Sequence, residues 1–121
     1  VKPASGRLER VWSIALVLLA IPFALEAASW PLSSEAAKPV KHVVAMQGFG
    51  FKPAVVEAKV GDTLVWVNRD IVPHAVAATS GKWASGSIAT NATWKFVPKS
   101  AGRVEYLCPF HPTMKGTLVV H

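Results

Sequence analysis

From residue 37 onward the sequence predicts an all-β domain, a sandwich of about seven to eight short strands. Three observations predict it. Apolar residues come in runs of roughly four to eight, several of them alternating with polar ones. Gly, Pro, Asn and Asp cluster between the runs. No stretch in this part sustains a helical period.

The runs follow in order. His42 to Gln47 is apolar and is broken by Gly48-Phe49-Gly50-Phe51-Lys52-Pro53. Val55 to Val60 alternates, with Val56, Ala58 and Val60 on one face and Glu57 and Lys59 on the other. Gly61-Asp62 is a turn pair. Thr63 to Asn68 is apolar on both faces and carries Trp66, which marks a central, buried strand. Arg69 to Pro73 reads as a loop and His74 to Ala78 as a short strand. Thr79 to Ala92 is small and polar, a loop with at most a brief edge strand near Trp83. Thr93 to Val97 turns Trp94 and Phe96 inward. After the turn Pro98 to Gly102, Val104, Tyr106 and Cys108 share one face, which puts Cys108 on the core side at the end of its strand. Lys115 to Val120 closes the chain.

Residues 1–36 are different in kind. Lys2, Arg7 and Arg10 precede fifteen uncharged residues, Val11 to Leu25. Fifteen is short of the ~20 that a spanning helix needs, but it suits a signal h-region. Small residues follow at Ala27-Ala28-Ser29 and Ser33-Ser34-Glu35-Ala36. This part reads as a secretory signal with a linker, or as an uncleaved N-terminal anchor helix. Residues 37–121 are the exported domain, and export points to the periplasm. The first 36 residues are electrically neutral, so the net charge of +6 sits on the domain.

Length, composition and charge narrow the function. The 121 residues hold one folded domain. Half the residues are apolar (51%), charged ones are scarce (17%), and five tryptophans promise a filled core. No run of Lys or Arg reads as a nucleic-acid arm, which leaves an anionic membrane, an acidic protein partner or a solubilising surface as the meaning of the charge. A single cysteine excludes an internal disulfide, and a lone cysteine in an exported chain suggests a chemical role.

That role is legible in Cys108-Pro109-Phe110-His111-Pro112-Thr113-Met114. Seven residues offer a thiolate, an imidazole and a thioether. With one more histidine these make the ligand set of a mononuclear copper electron-transfer site, two His and a Cys with Met as a weak axial ligand. His42, His74 and His121 are the candidates for that histidine. His121 is terminal and His42 starts a strand near the linker, whereas His74 follows Pro73 at a loop-to-strand junction. His74 is chosen. Zinc sites favour several Cys or His without Met, an iron–sulfur cluster needs more cysteines, and covalent haem needs C-x-x-C-H.

The pattern from His42 to Val120 resembles the cupredoxins of the plastocyanin/azurin class, most of all the amicyanin type. The resemblance is carried by Gly48-Phe49-x-Phe51-x-Pro53 and Val60-Gly61-Asp62-Thr63-x-x-Trp66-x-Asn68-x-Asp70-x-x-Pro73-His74. It is completed by Gly102-x-x-x-Tyr106-x-Cys108-x-x-His111-Pro112-x-Met114-x-Gly116. It implies a Greek-key sandwich, one copper ion held by His74, Cys108, His111 and Met114, and a one-electron carrier that is not an enzyme. It further implies a monomer that gives and takes electrons at the exposed edge of His111. An apolar ring of Phe110, Pro112, Phe51 and Pro53 would surround that edge. The partner would be a c-type cytochrome or a periplasmic dehydrogenase, methylamine-oxidising in the amicyanins. The chain departs from the pattern twice. Ala75 stands where many members have an Asn that ties the two ligand loops, and Leu107 offers no aromatic side entrance for electrons. The competing reading is a copper-delivery protein without a carrier role. A nitrite-reductase-like enzyme would need a second copper, for which only His42 and His121 are spare.

Overall fold

A computed structural model describes residues 35–121. The expected signal or anchor, up to Ser34, lies outside the described residues. Eight strands form two four-stranded sheets: β1 (Lys41–Met46), β2 (Phe51–Lys52), β3 (Val55–Ala58), β4 (Thr63–Asn68), β5 (Ala77–Ala78), β6 (Thr93–Phe96), β7 (Gly102–Cys108) and β8 (His111–Val120). One sheet has the order β2-β1-β4-β6 and the other β3-β8-β7-β5. β1 pairs with β4, and β3 with β8, in parallel, because the chain changes sheet between the members of each pair. Among the described residues there is no helix, hence none long and apolar enough to cross a membrane.

The alternation read from the sequence is the alternation of burial. β7 turns Tyr106 and Cys108 into the core, and β4, internal to its sheet, buries Leu64, Val65, Trp66 and Asn68. Trp66 is fully buried and packs on Trp94, Trp83 and Tyr106 at centroid distances of 5.4–6.0 Å. β5 is shorter than expected, two residues, and His74 joins the fold through an isolated bridge to Ile88. Val60, expected on the core face, is 48% exposed, because β3 ends at Ala58. Asp62 organises the turn that follows. Its carboxylate accepts from the N–H groups of Val40 and Lys59, each at 2.9 Å, and faces His42 Nε2 at 2.8 Å.

The ligand stretch differs most from its expected form. The loop expected around His111 is a tight hairpin: β8 begins at His111, which pairs directly with Cys108 across Pro109-Phe110. At the same end of the sandwich β1 and β2 are joined by the turn Gln47–Gly50, closed by hydrogen bonds in both directions, 3.0 and 3.2 Å. Its central residues Gly48 and Phe49 both have positive φ, 61° and 56°. This is the mirror-image hairpin turn that favours Gly or Asn at both places, and an aromatic residue there carries a cost of about 1–2 kcal/mol.

Candidate metal centre

Three chain segments converge at this end of the sandwich. β1 and β4 end in register, Met46 opposite Asn68, and the Arg69 N–H donates to the Met46 carbonyl at 2.9 Å. Asn68, fully buried, shapes the loop that presents the first histidine. Its Nδ2 donates to the carbonyls of Val72 (2.8 Å) and Ile88 (2.9 Å), and its Oδ1 accepts from the Asp70 N–H (2.9 Å). His74 is then pinned on both backbone sides to Ile88, at 3.1 and 2.7 Å. A buried polar side chain with all its bonds made specifies one loop conformation.

His74 and Cys108 are fully buried, and His111 is partly exposed. The Nδ1 atoms of both histidines lie 3.8 Å from Cys108 Sγ. These three donor atoms all lie within 4.8 Å of one another. Donors that share one ion in a trigonal arrangement, at about 2.3 Å for sulfur and 2.1 Å for nitrogen as zinc binds them, stand about 3.8 Å apart. The spacing therefore fits a single metal ion. The donor set, one thiolate with two imidazoles, fits copper.

The tautomer of His74 follows from its other nitrogen. Nε2 lies 2.8 Å from Asp70 Oδ2. The N–H of Phe49, the His74 imidazole and the N–H of Gly48 hold the Asp70 carboxyl down at about 2, so it is ionised and only accepts. Nε2 carries the proton and the lone pair of Nδ1 faces the sulfur. A carboxylate behind a ligating imidazole orients it and raises its basicity. The Ala75 N–H donates to Cys108 Sγ at 3.3 Å, which stabilises negative charge on the sulfur and joins the two ligand segments through the backbone.

Met114 is buried, 2% exposed, in the same core cluster as Cys108. His42 and His121 are elsewhere: both line a cleft of about 480 Å³ with Asp62 and Glu57. His42 is held by Asp62, and His121 is not frayed, since its backbone pairs with Ala58 (2.9 Å) and Val60 (3.1 Å). The expected apolar ring needs one correction. Phe51 is buried against Tyr106, at a centroid distance of 4.8 Å, and does not reach the surface beside His111. The exposed aromatics here are Phe110 (51%) and Phe49 (55%), and Phe49 packs edge-on against His111. The roles of Phe49, Asn68 and Asp70 were not read from the sequence. The spacing Asp70-x-x-x-His74 was the available signal for one of them.

The all-β sandwich and a Cys-His-His cluster at one end define a mononuclear metalloprotein of the cupredoxin class. Residues 14–120 match the model of the cupredoxin-like domain family, and the chain belongs to that family. It is similar to amicyanin from Paracoccus denitrificans (29% identity over 83 residues, 64% of this chain and 63% of that protein). Amicyanin-alpha from Methylorubrum extorquens is 31% identical over 75 residues, 58% of this chain. The matches span 63% of the length of these curated relatives. A reduced-state amicyanin variant is a similar solved structure, with a TM-score of 0.60 and 31% identity over 72% of this chain and 87% of that one. A copper-containing nitrite reductase from Thermus scotoductus aligns with a TM-score of 0.62 and 26% identity over 69% of this chain. Only 22% of that longer chain takes part, so the likeness is that of one domain.

Proposed function

We infer that the protein is a type 1 (blue) copper protein that carries single electrons between redox partners outside the cytoplasm, in the periplasm. His74, Cys108 and His111 would hold the metal, and Met114, buried in the same cluster, would offer its thioether as a further, weak donor. The observation that carries this reading is the pair of Nδ1 atoms, each 3.8 Å from one buried thiol, with the far nitrogen of His74 already occupied by Asp70.

When bound, copper supplies a one-electron couple between Cu+ and Cu2+. The chain's part is to keep its donors still and dry. Cys108 and His74 are excluded from water and their backbones are fixed by strand pairing and by Ile88. A frame that does not rearrange keeps the reorganisation for each transfer small. His111 is the partly exposed ligand, with Phe49 packed against it and the exposed Phe110 and Pro112 on either side of it in the chain, and it forms the port for electrons. A small apolar patch suits brief encounters. The charge of +6 steers an acidic partner, a c-type cytochrome or a dehydrogenase of the same compartment.

The test is the visible spectrum and cyclic voltammetry of copper-loaded protein. The reading expects an intense thiolate-to-copper band and a reversible one-electron wave, both lost in Cys108→Ser. A colourless Cu(II) complex sinks it in favour of copper delivery.

A further inference from the structure

We propose that the turn Gln47–Gly50 is a clasp that ties the two ligand-bearing segments together, with Phe49 as the bridge and Asp70 as its anchor. The clasp adds a side-chain tie to the backbone one that the Ala75 N–H makes with Cys108 Sγ. The proposal rests on the metal-site reading above.

Phe49 touches both sides. Its ring stands edge-on to His74 (centroids 5.6 Å, 86°) and to His111 (4.9 Å, 83°). His74 belongs to the segment after β4 and His111 to the β7–β8 hairpin, so one side chain spans both. The partly exposed His111 ring rests against it on one side.

Neither the turn nor the core explains a phenylalanine here. With φ at 56° directly after Gly48 at 61°, the position favours glycine, and any side chain is strained there. The ring is 55% exposed, so burial is not what keeps it. A strained backbone carrying an exposed aromatic points to a local function of the ring.

Asp70 fixes where that ring lies. Its Oδ1 accepts from the Gly48 N–H at 2.7 Å, and its Oδ2 accepts from the Phe49 N–H at 3.0 Å. The same Oδ2 faces His74 Nε2 at 2.8 Å. One carboxylate thus sets both the orientation of the first imidazole and the place of the turn that braces the second. Asp70 and Phe49 are positioning residues; neither is a ligand.

Phe49→Gly tests the clasp without unfolding the turn, because glycine is at ease at this φ. Two quantities are read. One is the rate at which copper-loaded protein loses its colour to excess EDTA. The other is the order of the His111 ring in the metal-free protein, from NMR relaxation. The expected result is release at least tenfold faster and a more mobile His111 ring, with the thermal midpoint of the metal-free protein unchanged or higher. Asp70→Asn should move release and ring order in the same direction. Release within twofold of wild type, or an unchanged His111 ring, overturns the clasp. So does a fall in thermal midpoint without faster release, which is the mark of a merely structural residue. A wild-type protein that takes up no copper overturns the metal-site reading instead, and ring order in the metal-free protein then decides the clasp by itself.

Discussion

Tyr106 lies two residues before Cys108 on the same face of β7 and is 1% exposed. Its register partner on β8 is Gly116, and a Cβ there would clash with the hydroxyl end of the Tyr106 ring. Burial pushes the Tyr106 phenol up to about 12. Its hydroxyl makes no hydrogen bond of good geometry among the described residues, and only the Trp66 indole N–H, itself unpaired, comes close enough to interact with it. The two positions should therefore respond with opposite sign. Tyr106→Phe removes an unpaired buried group and should raise stability by about 1 kcal/mol. Gly116→Ala overpacks the ring and should lower it by about 1–3 kcal/mol. Urea unfolding of both variants checks this, and a loss in Tyr106→Phe would show that the hydroxyl has a partner. At this scale the sequence was legible where side chains alternate along a strand: Tyr106, Cys108 and Trp66 were placed inward from the pattern. It was not legible for Phe51 and Phe49. Two phenylalanines two residues apart in a Gly-rich break look alike in sequence. The turn sends one into the core and leaves the other beside the histidines.

Among the elements, the turn at Asp62 carries a pH dependence. The N–H of Lys59, then that of Val40, then the His42 imidazole hold its carboxyl down at about 2. A folded value below the ordinary 3.8 means that the unfolded chain binds the proton first. The stabilisation is fully present above about pH 4 and is lost as pH falls toward 2. Asp70, also held at about 2, acts in the same window. The urea midpoint of the metal-free protein should hold between pH 7 and 5 and drop between pH 4 and 2. Asp62→Asn should be weaker at pH 6 and lose less on acidification. An equal acid loss in the variant would remove Asp62 from the account. This turn also explains Val60. Alternation placed it inward, but long-range bonds from Asp62 to Val40 and His42 end the strand early, and such bonds are invisible in a local pattern.

For the whole molecule, the net positive charge sets the terms of association. With +6 on the domain, reduction by an acidic redox protein should slow as ionic strength rises from 10 to 300 mM, since the Debye length shrinks from about 30 Å to below 8 Å. With a basic partner the dependence should reverse. Stopped-flow second-order rates measure this, and a flat salt profile with an acidic partner would remove steering from the mechanism.

The sequence by itself determined the fold class, the buried side of each main strand, and a Cys-His-Met stretch whose chemistry suits a soft metal. These follow from periodicity and from the intrinsic properties of thiolate, imidazole and thioether, which need no knowledge of distant neighbours. The choice of His74 over His42 and His121 was also open to the sequence, but only the tertiary structure decided which nitrogen it turns toward the sulfur and what stands behind it. Those are outcomes of sheet pairing between segments more than thirty residues apart. The Asp70 carboxylate acquires its meaning only when β1 and β4 end side by side and bring the Phe49 turn against His74.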